Sequence, residues 1–481
     1  MPSKSVPELR VRDLNEAGLR PEGDYVLYWM ISARRRYANF GLQRAMEHAK
    51  ELGRPLLILE ALRCGYQWAS DRFHAFVLQG MRDNEAAFDA AGVTYFPYVE
   101  PEQGAGSGLL DALAARACCV VTDDFPCFFL PRMVEAAAGR LDVLLESVDG
   151  NGLLPMRAAP KVFARAVDFR RFLQKSLPEH LSRFPVGDAL RGYDLGPAQL
   201  PPAILKRWPR ATPGMLSAEP AALAALPIDH EVGAVSIQGG ATAASQLWRQ
   251  FLSDRLDRYG DRNQPDADSA SGLSPYLHFG HISPHQLFAG VVKAEQWSIG
   301  QLSERQVGQR GWMGMSEPAE GFLDQLLTWR ELGFNNTSQR DDYDSFDSLP
   351  EWARTSLGQH ELDPRPYLYD VEEFAQSQTH DVIWNAAQRQ LRERGVMHNY
   401  LRMLWGKKIL EWSRSPREAM AIMIELNNRY ALDGRNPNSY SGISWVLGKF
   451  DRPWGPRREI YGAIRYMSSD NTQRKLRLKS Y

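Results

Sequence analysis

The chain has 481 residues, too many for one hydrophobic core, so two or three domains are expected. Its formal charge of −1, with 44% hydrophobic and 24% charged residues, fits a globular protein in water and by itself points to no nucleic-acid partner. The longest apolar runs, such as PLLILEAL, are far too short to span a bilayer, and Cys64, Cys118, Cys119 and Cys127 have neither CxxC spacing nor a zinc-like Cys/His cluster, so no metal is expected.

The first 18 residues, MPSKSVPELRVRDLNEAG, lack the apolar stretch of a secretory signal and read as a polar, partly disordered lead-in. Over residues 24–150, short apolar runs alternate with amphipathic stretches. YVLYWM (25–30), PLLILEAL (55–62), VTYFPYV (93–99), CCVVTDD (118–124) and DVLLESV (142–148) have the β-branched and aromatic content and the turn-residue borders of strands. FGLQRAMEHAKEL, SDRFHAFVLQGMRDNEAAFDAAG, LLDALAARA and PRMVEAAAGRL between them carry helical periodicity. The alternation predicts an α/β domain with a doubly wound parallel sheet. ISARRRYANFG follows the first strand where a GxGxxG fingerprint would stand, so no Rossmann-type dinucleotide is indicated there. Cys118 and Cys119 open a strand and are expected as buried thiols, which suits a reducing, cytoplasmic compartment.

Residues 151–240, typified by GPAQLPPAILKRWPRATPGML, are dense in proline and glycine and have little periodicity. They read as a long interdomain linker with one or two short helices. Residues 241–481 are almost wholly helical in pattern, as in GFLDQLLTWRELGFNN, HDVIWNAAQRQLRERG, HNYLRMLWGKKILEW and SPREAMAIMIELNNRY. Gly395 fits a helix stop, and SRSPRE fits an N-cap followed by an early proline. An all-α domain is therefore expected behind the α/β domain.

Within that half, Trp405 and Trp412 are seven residues apart and lie on nearly one helix face. Trp384 belongs to the preceding helix, which can pack antiparallel after the break at Gly395. Core packing explains three neighbouring indoles, and so do stepping stones for an electron, since indoles oxidise readily. In SASGLSPYLHFGHIS (269–283), Ser269, Ser271 and Ser274 flank Gly272; small hydroxyl residues let backbone N–H groups approach an anion, and an ordinary N-cap accounts for them equally. LNNRYALDGRNPNSYSGISW (426–445) reads as loop, with Asn427 and Asn428 either facing a heterocycle or forming a turn. FDRPWGPRRE (450–459) interleaves arginines with Trp454, a pattern suited to phosphate contact and base stacking. Arg452, Arg457, Arg458, Arg465, Arg474, Lys475, Arg477 and Lys479, against Glu459 and Asp470, form a local basic run able to bind phosphates.

Taken in order and spacing, IWNAAQRQLRERGVMHNYLRMLWGKKILEWSRSPREAM, LNNRYALDGRNPNSYSGISW, RPWG, IRYM and SGLSPYLHFGHIS make the chain resemble, over most of its length, the class II cyclobutane pyrimidine dimer photolyases of the photolyase/cryptochrome superfamily. The resemblance implies a U-shaped FAD in the helical domain. Tyr259, Ser271, Gly272, Leu273 and Ser274 would hold its phosphate and ribose portion, and Arg402 and Asp433 would pair beside the flavin. Asn427 would face the N5 edge and stabilise the reduced form. Trp405 would be the nearest oxidisable neighbour, followed by Trp384, with Trp412 as a further member. Reduced FAD, excited by blue or near-UV light, would pass an electron to a flipped cyclobutane pyrimidine dimer in UV-damaged DNA, and the electron would return once the ring had split. Trp329 and Trp445 would clasp the dimer, and Arg452 and Trp454 would fill the gap left in the duplex.

The chain departs from the family's pattern at three places. FLDQLLTWRE places Asp324 and Gln325 where an acidic pair is usual, so Gln325 stands for the glutamate that bonds the dimer. ISARRRYANFGL replaces a more acidic, Asp-Asn-containing stretch, which weakens the case for an antenna chromophore of deazaflavin type. Asn428 stands where aspartate is common. A monomer in the cytoplasm, nucleoid-associated in a prokaryote and independent of membranes, is expected. The alternatives are a cryptochrome-like flavin photoreceptor with little or no repair activity and a flavin-dependent nucleic-acid binder that works without light. Trp329, Trp445, Arg452 and Trp454 favour repair, and Gln325 pulls the other way.

Overall fold

In the computed structural model, which describes residues 5–478, six strands form one sheet. They are β1 (Val11–Asp13), β2 (Tyr25–Met30), β3 (Leu56–Leu62), β4 (Thr94–Val99), β5 (Ala117–Asp123) and β6 (Leu145–Val148), in the order β1-β6-β5-β2-β3-β4. Strands β2 to β6 pair in parallel, and β1 adds antiparallel to β6 with Val11 opposite Val148. Every residue of YVLYWM is buried, because both sheet faces are covered and a central strand then needs no polar side. Leu27 and Trp29 join one core with Leu57 and Phe96, while Val26 and Tyr28 join the other with Ile58 and Phe40, as the two-residue period of a strand requires.

The helices between the strands are α1 (Phe40–Leu52), α2 (Asp71–Asp89), α3 (Leu109–Ala114) and α4 (Leu130–Ala138). Helix α1 has the length of its periodic stretch because both ends are fixed locally. The Asn39 side chain accepts from Leu42 N, and Gly53 at φ 61 ends the helix in the left-handed region. All four cysteines are free and buried.

Two expectations fail here. Residues 5–13 are not a disordered lead-in: a 3₁₀ turn at Glu8–Arg10 leads into β1, which covers the edge of β6. The Arg10 side chain is buried, donating to the carbonyls of Asp149, Gly152 and Leu153. The expected strand at 142–148 is also shorter, starting at Leu145.

The chain divides into two compact units. One holds residues up to Ala159, Ser176–Arg249 and Leu273–Val291; the other holds Pro160–Lys175, Gln250–Gly272 and everything from Val292 onward. Residues 151–240 thus lie largely within the first unit. Their short helices Pro202–Arg207, Pro213–Leu216 and Pro220–Ala224 bury Ile204, Leu216 and Leu223, and Trp208 packs with Ile204 against the sheet core.

In the second unit are α5 (Ala166–Ser176, its last residue in the first unit), α6 (Glu317–Leu323), α7 (Arg330–Ser338), α8 (Val382–Arg394), α9 (Asn399–Trp412), α10 (Pro416–Tyr430) and α11 (Pro437–Val446). Asp381 caps α8, Gly395 at φ 68 ends it, and Ser415 caps α10 just ahead of Pro416. A π-helical turn, Asp324–Trp329, separates α6 from α7 where the sequence shows one unbroken helix. The 426–445 stretch is not a loop. It comprises the end of α10, a turn, and α11 capped by Asn436. Its asparagines serve the interior: Asn428, fully buried, accepts from Arg435 N at 2.8 Å through its side chain. Gly434 is required in the turn, since a Cβ there would lie 2.7 Å from Asn427 O. Among the described residues no helix is long and apolar enough to cross a membrane, and no group of three or more His, Cys, Asp or Glu could hold a metal ion. Lys479 of the basic run lies outside the described residues.

Candidate functional site

Helices α8 and α9 bring the three indoles together. Trp384 Nε1 donates to Trp405 O at 3.0 Å, Trp405 Nε1 donates to Gln388 Oε1 at 2.9 Å, and the Trp384 and Trp412 rings meet edge-on at 6.1 Å. All three are at most 2% exposed. Each indole N–H of the Trp384 and Trp405 pair is satisfied, so the cluster is well packed as well as contiguous. Aromatic contacts continue outward in a way the sequence did not suggest. Trp412 meets Tyr369 at 5.8 Å and His380 at 4.9 Å, the Tyr369 hydroxyl lies 2.8 Å from His380 Nδ1, and exposed Tyr367 stacks on His380 at 3.7 Å.

A second group lies around α10. Arg402 Nη2 donates to Asp433 Oδ1 at 3.1 Å. Asn427 is 3% exposed, and its Nδ2 is 3.3 Å from Asn428 Oδ1, while Asn428 Nδ2 in turn reaches Tyr440 Oη. This chain of amides fixes which atoms Asn427 presents.

The π-helical turn builds a third group. It places Trp329 Nε1 3.2 Å from Asp324 Oδ2, and Arg170 from α5 forks onto the same carboxylate at 2.9 Å with its guanidinium 5.8 Å from the Trp329 ring. Trp329 stacks on Trp445 of α11 at 4.9 Å and 19°. Both indoles and Gln325 are half-buried. Arg170 was missed in the sequence because its partner is 154 residues away.

After α11 the chain forms an exposed turn. Trp454 is flanked by the guanidinium groups of Arg452 at 4.9 Å and Arg465 at 5.1 Å, and its Nε1 donates to Asp451 Oδ2 at 3.1 Å. Arg458 lies 4.6 Å from the ring of exposed Tyr466. Cations paired with aromatic faces at a surface offer phosphate contact and stacking together.

Over 476 residues the chain is 34% identical to the deoxyribodipyrimidine photo-lyase of Methanothermobacter thermautotrophicus, covering 98% of this chain and 97% of that one. The chain belongs to the deoxyribodipyrimidine photo-lyase family. The photo-lyase of Oryza sativa is 32% identical over 492 residues, covering 98% of this chain and 89% of its own. The fold is shared with a class III photolyase from Agrobacterium tumefaciens (TM-score 0.61, 16% identity, 89% and 80% covered) and a Synechocystis cryptochrome (TM-score 0.65, 16% identity, 94% and 86% covered). The α/β part and the helical part expected from the sequence are both present. No model of a known protein family matches the chain.

Photo-lyases of this family carry FAD, and the helical unit has a donor set that fits one. Arg255 Nε and Nη2 and Ser269 Oγ are buried without a partner, and Arg255 Nη1 donates to Ala270 O at 3.2 Å. Gly272 follows at φ 69. Arg255 reaches the exposed Asp268 carboxylate only through Nη1, at 3.8 Å, so the donors left at Nε, Nη2 and Ser269 Oγ beside an open turn match the oxygens of a diphosphate. Tyr259 is buried against Phe251 and Phe322, and burial pushes its phenol up to about 12, so it stays a neutral hydroxyl. The N-cap of the short helix Ser274–His278 is Leu273, not one of the serines; Leu273 and Ser274 belong to the first unit. An antenna pigment finds less support. After β2 the N–H groups of Ile31, Ser32 and Ala33 all donate to Asp123 Oδ2, so the chain's own carboxylate fills that anion cradle.

Proposed function

We propose that the chain repairs DNA as a class II photolyase, splitting cyclobutane pyrimidine dimers in the light with its FAD held reduced. One observation favours repair over photoreception. The stacked Trp329–Trp445 pair and the arginine-flanked Trp454 are surfaces that a lesion-binding protein needs and a signalling flavoprotein does not.

FAD, when bound, supplies the light-driven one-electron chemistry that opens the cyclobutane ring. The chain's residues supply everything around it. Arg255, Tyr259, Ser269, Ser271 and Gly272 would hold the phosphate and ribose portion. The Arg402–Asp433 pair and the oriented Asn427 amide set the electrostatics at the ring. Trp405, Trp384 and Trp412 conduct electrons inward and keep the cofactor reduced. No proton transfer is needed at the lesion, in keeping with a site built from indoles, amides and ion pairs.

Extruding a dimer costs a few kcal/mol. Stacking on an aromatic side chain returns about 1–3 kcal/mol per base, so Trp329 and Trp445 together are sufficient to offset it. Arg170 and Asp324 hold the Trp329 ring, and Gln325 offers an amide to the dimer. Arg452 and Trp454 enter the vacated duplex while Arg457, Arg458 and Arg465 contact phosphates. In this reading the chain acts as a monomer on cytoplasmic or nucleoid DNA, and no deazaflavin-type antenna is assigned.

The test is to incubate reduced protein with a thymine-dimer oligonucleotide with and without blue light. Thymines should be restored only in the light. A flavin that photoreduces normally while no thymine returns would favour the cryptochrome-like reading. Two variants refine it. Gln325→Glu is expected to raise repair yield by offering the dimer a carboxyl group; an unchanged or lower yield would remove Gln325 from the contact. Arg458→Ala should weaken binding to damaged and undamaged duplex alike and lower the salt slope by about one unit, the signature of one lost phosphate contact; an unchanged slope would take Arg458 off the backbone.

A further inference from the structure

Lys407 has no part in the chemistry described so far, and its surroundings are unusual for a lysine. It is 1% exposed within α9, and its Nζ donates to Val446 O, the carbonyl at the C-terminal end of α11. The preceding Gly406 lets the two helices close over it, since a Cβ there would meet Val446 Cγ2 at 2.7 Å. The Tyr461 hydroxyl, 3.0 Å from Lys407 O and 2.9 Å from Glu411 Oε2, seals the other side. Taking an ammonium group out of water costs several kcal/mol, so a lysine in this place is a poor choice for packing alone.

What it touches gives the reason. Val446 directly follows Trp445, and Asp451, whose charge favours the Lys407 cation, is the acceptor that anchors the Trp454 indole. A cation at a helix C-terminus opposes the negative end of the helix dipole and satisfies an orphan carbonyl. We propose that Lys407 is a positioning residue for lesion recognition, its ammonium group fixing the end of the helix that carries Trp445 and the turn that carries Trp454 in their DNA-competent arrangement. The inference deepens the repair reading and rests on it.

The arrangement makes recognition pH-sensitive. Burial brings Lys407 down to about 7, with Asp451 pulling it back up and Arg465 adding to the fall. On its own helix, Lys408 is paired with Glu411 at 2.7 Å and so adds little net charge. Clasping a dimer between Trp329 and Trp445 fixes the α11 end that the ammonium group holds and keeps Asp451 beside it, so the dimer-bound state holds the proton more tightly than the free or undamaged-duplex-bound state. Lesion preference is then fully present below pH 7 and declines as pH rises through the bound-state value.

The experiment measures the affinity of the FAD-loaded protein for a dimer-containing and an undamaged duplex, in the dark, from pH 6 to 9 at fixed ionic strength. The ratio of the two should fall above pH 7 by at most about tenfold per pH unit, the limit for one linked proton. Lys407→Met should be flat at the low alkaline level, and Lys407→Arg, which keeps its charge, flat near the acid level. Lys449, brought down to about 8 by burial, titrates in the same window, so a slope that survives in either Lys407 variant overturns the proposal. If Lys407→Met fails to fold, the wild-type slope and Lys407→Arg decide. A lesion preference that does not vary with pH overturns this inference alone; no preference at any pH overturns the repair reading, and this inference with it.

Discussion

Trp405→Phe should slow photoreduction of oxidised FAD by at least about tenfold, the effect of ~1.4 kcal/mol added to the barrier, while repair by chemically pre-reduced protein stays close to wild type. A phenyl ring fills most of the indole's volume but is far harder to oxidise, so the packing survives and the conducting step does not. The substitution also removes the donor to Gln388 Oε1 in a site where Gln388 is fully buried. That costs about 1–3 kcal/mol of stability and should appear as a lower Tm. Flavin absorbance under blue light with an external reductant gives the first quantity, and thymine restoration after dithionite reduction gives the second. Trp384→Phe should behave alike, and the double variant should be little worse than either single one, because elements in series fail together. Equal loss of photoreduction and repair would contradict the assignment.

Trp329→Ala should weaken binding to a dimer-containing duplex by about 1–3 kcal/mol, roughly 5- to 150-fold, and leave undamaged duplex unaffected. The ring lost is one member of a stacked pair, and Asp324 keeps the Arg170 fork when the indole N–H goes, so the turn has no reason to collapse. Trp445→Ala should give the same selective loss. Trp454→Ala should also lose affinity selectively, because the gap that its surface indole enters, between Arg452 and Arg465, opens only when a dimer is extruded. Competition binding on matched damaged and undamaged duplexes reads all three. A Trp329→Ala protein that loses affinity for both duplexes equally would place that indole outside the lesion pocket.

Strand β2 could be read from sequence to the residue, and so could α1, because local signals closed both ends: turn residues around an apolar run, and a capping Asn39 with Gly53. The indole cluster was legible for a similar reason. A spacing of seven and a helix stop at Gly395 together confine where three side chains can go. β1 was not legible, since Val11, Arg12 and Asp13 have no pattern of their own and become a strand only when β6 offers an edge. Nor was the helical state of 426–445, whose Asn, Ser and Gly residues favour turns in isolation; buried hydrogen bonds to Asn428 and the cap at Asn436 override that preference.

Residue types and spacings of a few positions along the chain were enough to give the alternation of strands and helices, the helical second half, the tryptophan spacing and the family. Packing between distant segments is what aims Trp329 at Trp445 through a π-helical turn, brings Arg170 of α5 onto Asp324, and buries Lys407, one half of a KK pair that a helical wheel would leave in water, against α11. Those outcomes rest on which distant segments pack together, and burial, unlike helical periodicity, is a property of the whole fold and not of its neighbours in sequence.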